Sequence, residues 1–344
     1  MSQVRTRVLK GFNDASFGPD CWRDLLSCGD SDVIFLTWEW QCAWWESLGR
    51  GQLLLILAEM DGEDIALAPF FTEAGMVYFV GSGGSDYLDF IGNISDPHIL
   101  DELLTKARES VTNFIGFVFY HVPERSHTGN RLMKAAERLG LNFFDEGELL
   151  APAMDLNGKD GHGLAATRKK SLVRHENFFR REGSLEVVHL KDGRSILPHL
   201  EEFFEQHVAR WANTVYPSLF CDMAQRMFYK RLTSLATDTG WLRFTIVNWE
   251  GRPIAFHFGF CYGGSYMWYK PSFAIELARR SPGEVLIRQL LLAAIEEGAK
   301  TFDFGLGEEG FKSRFATHVN KVNTCSLYPP TRVIGERTDH GNDQ

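Results

Sequence analysis

Long apolar runs are missing from this chain. No stretch of 18 apolar residues occurs in its 344 positions, so no segment is expected to span a bilayer as a helix. The opening Met-Ser-Gln-Val-Arg-Thr-Arg leads into no apolar core of the kind a secretory signal needs. Positive charge is in deficit: 36 Lys and Arg stand against 45 Asp and Glu, a net charge of −9. That balance argues against duplex nucleic acid as the main partner, because phosphate binding needs a basic surface. The six cysteines (Cys21, Cys28, Cys42, Cys221, Cys261 and Cys325) form no CxxC pair and none is spaced with histidines as a zinc site would be. No metal centre is therefore expected, and Cys42 and Cys261, in apolar surroundings, read as buried thiols. These absences together predict a cytoplasmic protein.

What the chain has is length, aromatics and a repeat. Its 344 residues are too many for one ordinary core and fit two domains. The 27 Phe and 9 Trp suit well-filled cores, with some rings free to line a pocket. The run Ile56-Leu57-Ala58-Glu59-Met60-Asp61-Gly62-Glu63-Asp64-Ile65-Ala66 has a counterpart in Ile246-Val247-Asn248-Trp249-Glu250-Gly251-Arg252-Pro253-Ile254-Ala255. Gly62 and Gly251, Ile65 and Ile254, and Ala66 and Ala255 all stand 189 apart. Each copy reads as a strand, an acidic-Gly turn and a second strand.

Three strands, a helix and a further strand follow one another in both halves. That order predicts an α+β fold: two tandem domains, each a mixed, largely antiparallel sheet flanked by helices. It is not the regular βαβ alternation of a doubly wound sheet. The expected boundaries are an N-terminal domain over 1–156, a linker and basic helix over 157–182, a C-terminal domain over 183–330 and a flexible tail over 331–344. The linker is suggested by the Gly-rich stretch from Asn157 to Gly163. The basic helix carries Arg168, Lys169, Lys170, Arg174, Arg180 and Arg181, either a solvated face or an anion patch.

Three constellations stand out. Arg279-Arg280-Ser281-Pro282-Gly283 precedes a long apolar helix. Ser281 suits an N-cap, Pro282 suits the first turn, and a helix start can receive an anion, with Arg279 or Arg280 adding charge. Next, Asp303 alternates with Phe302 and Phe304 on a short strand, so it points away from the two rings. Gly305 and Gly307 follow it and permit close backbone approach. Third, His207 and Arg210 share a helix face beside Trp211.

The run from Phe203 to Lys312 resembles the BioF-like acetyltransferase domain of the GNAT superfamily, the group that includes CelD-type proteins. The likeness is carried by Phe204 with His207, Arg210 and Trp211, then Gly251-Arg252-Pro253-Ile254-Ala255, then Tyr269. It continues through Ser281-Pro282-Gly283 with Leu286, Phe302-Asp303-Phe304, Gly307-Glu308-Glu309 and Phe311-Lys312. The first half is similar to a matching copy through Trp38-Glu39-Trp40, Trp44-Trp45 and Gly84-Ser85-Asp86-Tyr87. Tandem copies of this kind also resemble the Fem-type aminoacyltransferases.

The resemblance implies acyl transfer from a thioester to an amine or hydroxyl, with acetyl-CoA or another acyl-CoA as co-substrate and no permanently bound cofactor. It places the donor pyrophosphate at Ser281 and Gly283, with Arg279, Arg280 and Lys312 as supporting charges. Here Arg279-Arg280-Ser281-Pro282-Gly283-Glu284 stands where Gln/Arg-x-x-Gly-x-Gly/Ala is usual. No comparable cap-and-glycine sequence precedes Leu100, so one donor site is expected, in the second copy. Asp303, His207 and Glu309 are candidates for the base, and Tyr269 for a donor to the leaving thiolate or oxyanion. Asp86, Tyr87 and Asp89, with Arg210 and Trp211, are candidates for binding a small-molecule or glycan-precursor acceptor. The expected activity is N- or O-acylation of a sugar or cell-envelope precursor. The alternatives are a Fem-type transferase using aminoacyl-tRNA, and a binding or assembly protein that keeps the fold without catalysis.

Overall fold

The computed structural model describes residues 4–157 and 161–330. The expected tail over 331–344 lies outside the described residues. The chain forms two compact units: Met1–Leu149 with Asn320–Gln344, and Leu150–Val319. The basic helix belongs to the second unit.

Unit 1 orders its strands β1 (Val4–Val8), β2 (Gln52–Met60), β3 (Glu63–Glu73), β4 (Met76–Phe79), β6 (Gly116–Pro123) and β13 (His318–Tyr328), with β5 (Ile91–Gly92) paired to β3. Neighbours are antiparallel except β4 with β6. Its helices are α1 (Pro19–Ser27), α2 (Trp38–Leu48), α3 (Pro97–Ser110) and α4 (Thr128–Leu139). Unit 2 repeats the pattern with β8 (Leu185–Leu190), β9 (Leu242–Trp249), β10 (Arg252–Tyr262), β11 (Ser265–Phe273), β12 (Thr301–Asp303) and the end of β7 (Asn142–Asp155). Only β11 with β12 is parallel. Its helices are α5 (His162–Thr167), α6 (Lys170–Glu182), α7 (Gly193–Ile196), α8 (Leu200–Trp211), α9 (Met223–Leu235) and α10 (Pro282–Glu296). The sixth strand of unit 1 thus follows unit 2 in the chain, and the sixth strand of unit 2 follows unit 1.

The repeat holds residue by residue. Ala58 faces Ala66 in β2–β3, and Val247 faces Ala255 in β9–β10. Both pairs of strands slip at the same place, between Ala58 and Glu59 and between Pro253 and Ala255. Asp61 and Gly62 turn with φ 55° and 88°, and Glu250 and Gly251 with φ 51° and 72°. Positive φ at both central residues is the turn that matches the twist of a two-residue hairpin. The third strand keeps the offset: Phe71 faces Tyr78, and Phe260 faces Met267.

Loops then break the offset. Ala66 pairs with Gly92 and Ala255 with Phe273, so the offset falls to 181 and the first copy carries eight extra residues. At the next helix, Pro97 and Pro282 each occupy the first turn, an offset of 185. The following strands keep it: Phe117 pairs with Val77, and Phe302 with Tyr266.

Two helices, α6 and α10, supply one hydrophobic cluster of unit 2. On α10, Val285, Leu286, Leu290, Leu291 and Ala294 are buried with Val247, Ala255, Tyr266 and Phe302 of the sheet. Full burial of each leucine contributes about 2 kcal/mol. The helix stops at Gly298, which adopts φ 72°, while the amide of Ala299 returns to the carbonyl of Ala294, a bond that closes a helix end. On α6, Leu172 and Phe179 are buried, and so is the carboxylate of Glu176. Glu176 pairs with Arg288, accepts from Gln289 Nε2 at 2.8 Å and from Arg180 Nε at 2.8 Å. This carboxylate ties α6 to α10.

Unit 2 also buries two histidines. His207 on α8 lies 2.8 Å from the Ser218 hydroxyl through Nδ1. Burial first, then the charges of Lys270 and Arg210, push its pKa down to about 3. His257 lies under an irregularity of β10 at Gly259, and its Nε2 accepts the Tyr269 amide at 3.1 Å. A Cβ on Gly259 would lie 2.2 Å from the His257 ring, so only glycine fits. Burial, then His189, push His257 down to about 3 as well. Both rings are neutral in the folded protein near pH 7.

Two outcomes follow from this packing. Glu176→Ala strands Arg288 without its carboxylate and costs about 3 kcal/mol, read as a lower urea midpoint. Both histidines have folded pKa values below the unfolded one, so the unfolded chain binds more protons between about pH 6.5 and 3. Stability is then full above that window and is lost as pH falls through it. His207→Gln flattens this slope in urea titrations from pH 7 to 4.

Candidate active site

Asp303 closes β12, a strand of three residues. Phe302 and Phe304 on either side are buried, with Phe302 stacked on Tyr266 at 5.7 Å and Phe304 on Phe315 at 6.0 Å. These rings fix the strand, and the alternation sends the Asp303 side chain to the opposite face, where it is half-buried. Asp303 pairs with Met267 and Ala153, and Oδ1 accepts the Gly305 amide at 2.8 Å. In unit 1 the same register position, opposite Tyr78, is held by Val118. The second copy therefore places a carboxylate where the first has an aliphatic side chain.

The segment after Asp303 wraps a buried ammonium. Lys312 is 3% exposed, and its Nζ donates to the Leu306 carbonyl at 2.6 Å and meets Glu309 Oε2 at 2.7 Å. Gly307, at φ 110°, makes room, because a Cβ there would lie 2.6 Å from Glu309 Oε2 and 3.3 Å from Lys312 Nζ. Glu309 is thus placed as the counterion of Lys312. Phe311 packs on Trp268, whose strand neighbour Met267 faces Asp303.

The start of α10 differs from its expected form. Ser281 sits at φ 54°, ψ 57°, and its side chain makes no cap hydrogen bond. The left-handed conformation turns the hydroxyl away from the first-turn amides, which corrects the N-cap expectation. Pro282 has no N–H, and the Glu284 amide returns to the Ser281 carbonyl at 2.9 Å. Gly283 lies against Phe273, where a Cβ would be 3.4 Å from the ring. The Glu284 carboxylate is met by Arg314 at 2.9 Å, with His175 at 3.7 Å. Arg280 lies 4.4 Å over the Phe178 ring, and Arg279 is exposed. In the first copy Asp96 caps α3, accepting the His98 amide at 2.9 Å. That carboxylate occupies the place an anion would take.

At the end of α8, His207 stacks on Trp211, and the Arg210 guanidinium lies 4.4 Å from the centroids of both Trp211 and Phe273. Tyr269 is 7% exposed and packs on Tyr229 and Phe260, with Lys270 Nζ 4.1 Å over its ring. Phe273, Lys270 and Arg314 were not among the sequence candidates. For Lys270 and Phe273 the sequence signal is that the aromatic strand continues past Tyr269 through Lys270-Pro271-Ser272-Phe273; Arg314 has none.

In unit 1, the loop with Asp86, Tyr87 and Asp89 is the eight-residue excess of the first copy. Asp89 is 2% exposed and accepts from Ser31 Oγ at 2.6 Å, Thr128 Oγ1 at 2.8 Å and the Phe90 amide at 2.9 Å. Burial pushes its carboxyl up, against these hydrogen bonds. The expectation that Asp89 meets an acceptor is therefore corrected: its carboxylate braces the interior of unit 1. Tyr87 is also buried, edge-on to Phe35 at 5.7 Å, and Asp86 is half-buried. Among the described residues no cluster of metal-ligating side chains occurs, and no helix is long and apolar enough to cross a membrane.

Comparison with known proteins gives the architecture its relatives. No curated protein matches. A solved structure described as FemX is 12% identical, covers 89% of this chain and 96% of its own, and superposes with a TM-score of 0.64. The C-terminal domain of a putative lysylphosphatidylglycerol synthetase from Agrobacterium fabrum is 17% identical, with a TM-score of 0.53 and coverage of 83% and 86%. A tandem GNAT protein from the clavulanic acid biosynthesis pathway is 10% identical, with a TM-score of 0.52 and coverage of 96% and 100%. At such identities the likeness is one of fold. Residues 166–313, all within unit 2, match the acetyltransferase (GNAT) domain model, and the chain has the tandem GNAT-like fold.

Proposed function

We propose that this chain is a GNAT-type acyltransferase of the BioF-like and CelD-like kind. It moves an acyl group from an acyl-CoA thioester to an amine or hydroxyl of a sugar or cell-envelope precursor. The observation that carries the reading is the exchange of Val118 for Asp303 at one register position of the repeat, on the short strand of the matched domain. The start of α10 has no side-chain cap, whereas Asp96 caps α3, and this difference supports donor binding in the second copy alone.

A thioester is already activated, so the protein's work is to align the partners, take a proton and steady the oxyanion. In the proposed reaction the acceptor nitrogen or oxygen attacks the thioester carbonyl. Asp303 takes the acceptor's proton, the new C–N or C–O bond forms, the C–S bond breaks, and the thiolate is reprotonated from solvent or Tyr269. Lys312, anchored by Leu306 and Glu309, supplies fixed positive charge beside Asp303's loop. His207 is left out as base, since a ring with a pKa of about 3 takes a proton poorly near neutrality.

A second reading keeps the geometry and changes the donor to an aminoacyl ester of tRNA. It is favoured by the fold likeness to FemX and to a putative lysylphosphatidylglycerol synthetase. The net charge of −9 favours the thioester.

Asp303→Asn keeps an oxygen for the Gly305 amide and removes the base. With acetyl-CoA and an amino-sugar panel, it is expected to lower kcat/KM by about 10²- to 10⁴-fold with an unchanged melting temperature. Equal turnover by Asp303→Asn and wild type would show that the fold is retained for binding, or that another group takes the proton.

A further inference from the structure

Arginines placed deeply in unit 2 are matched by carboxylates, with one exception. Arg243 meets Glu297 through Nε at 2.8 Å, Arg288 meets Glu176, and Arg226 meets Glu205 at 2.7 Å. Arg210 meets none among the described residues. Its guanidinium is held between Trp211 and Phe273, and its Nε and Nη1 are buried without a hydrogen-bond partner. The indole Nε1 of Trp211, on the same side of α8's end, is likewise buried and unpartnered.

Lys270 and His207 stand near this guanidinium. Lys270 and Arg210 both act on His207, which is neutral and adds no negative charge. Of the three acidic residues of α8, Glu201 and Glu205 are engaged by Arg226, Lys230 also meets Glu201, and Glu202 is exposed. Arg210 as a whole is half-buried, with Nε and Nη1 its covered atoms; a partly desolvated cation without a carboxylate is costly, and so is each buried donor without an acceptor. Water can satisfy the donors but cannot balance the charge. The aromatic faces hold the guanidinium plane in place, so the recess is preorganised for an acceptor-rich group.

We infer that the recess formed by Arg210, Trp211, His207, Lys270 and Phe273 is an anion-recognition subsite for the phosphate or carboxylate of a bound small molecule. It deepens the transferase reading, on which its biological role rests, by giving one of the two ligands an acidic group. Phe273 also touches Gly283, which puts the subsite beside the start of α10. The acidic group lies against the end of α8, outside the helix start where the resemblance places the pyrophosphate.

Thermal unfolding of the full chain tests this at pH 7.5 and constant ionic strength, with chloride exchanged for inorganic phosphate or for acetate. The wild type is expected to gain about 3 °C in at least one of the two anions. Arg210→Met keeps an apolar filling between the rings and removes the unmatched cation. It is expected to melt no lower than wild type in chloride and to gain nothing from either anion. No gain by the wild type up to 50 mM of either anion, on the order of weak single-site binding, overturns the inference. So does an equal gain by Arg210→Met, or a chloride melting point well below wild type, which marks Arg210 as structural. The readout is stability and not turnover, so this result and the fate of the transferase reading are separable.

Discussion

Backbone pairing in the two meanders is the constraint on which the rest depends. Side chains alternate along a strand, so a slip of one residue would move every functional group to the opposite face. The offset of 189 survives two hairpins and a shared irregularity, which means that equivalent positions point the same way in both copies. Comparison of the copies is therefore physical and not only textual. It makes Asp303 the counterpart of Val118 and Pro282 the counterpart of Pro97. It also leaves the first copy with a helix capped by the Asp96 side chain and the second with a helix start that no side chain caps.

The short β12 converts that register into a site. It lies between β11, parallel on one side, and β7, antiparallel on the other. Three residues suffice because Phe302 is buried among Tyr266 and the leucines of α10. Beyond Asp303 the chain turns at two glycines and folds back around Lys312. The carboxylate thus stands at the junction of a rigid strand and a loop whose shape is set by one ammonium. The two kinds of arginine in unit 2 divide in the same way. Arg288 is spent on Glu176 and the joining of two helices, whereas Arg210 is positioned by rings and left with its charge unmatched.

Much of the fold was legible in the sequence, for local reasons. Acidic-Gly turns flanked by apolar runs announce hairpins, and the α+β meander with its tandem repeat follows from them. Val4–Val8 was harder to read as a strand, because Val4-Arg5-Thr6-Arg7-Val8 is too polar to signal burial. The helix that carries His207 and Arg210 begins at Leu200, with Pro198 lying in a tighter turn before it. The exchange of sixth strands was invisible, since β7 reads as one continuous strand and pairing partners are not written in spacing. The Asp86–Asp89 loop looked like a ligand loop because it is polar and Gly-rich, yet the buried hydroxyls of Ser31 and Thr128 that claim Asp89 lie far along the chain. Ser281 misled because capping depends on dihedral angles and not on residue type alone. Arg210 was singled out by its spacing from His207, but its isolation from the carboxylates of the described residues is a three-dimensional fact.

Donor stoichiometry bears most directly on the claim that two copies of one fold divide the work and that only the second keeps a donor site. Calorimetric titration of the full chain with acetyl-CoA and a longer acyl-CoA measures it. The account predicts one molecule bound per chain. Two per chain would contradict the division of labour between the copies, and none at millimolar ligand, roughly the weak end of useful affinity, would contradict the thioester donor itself.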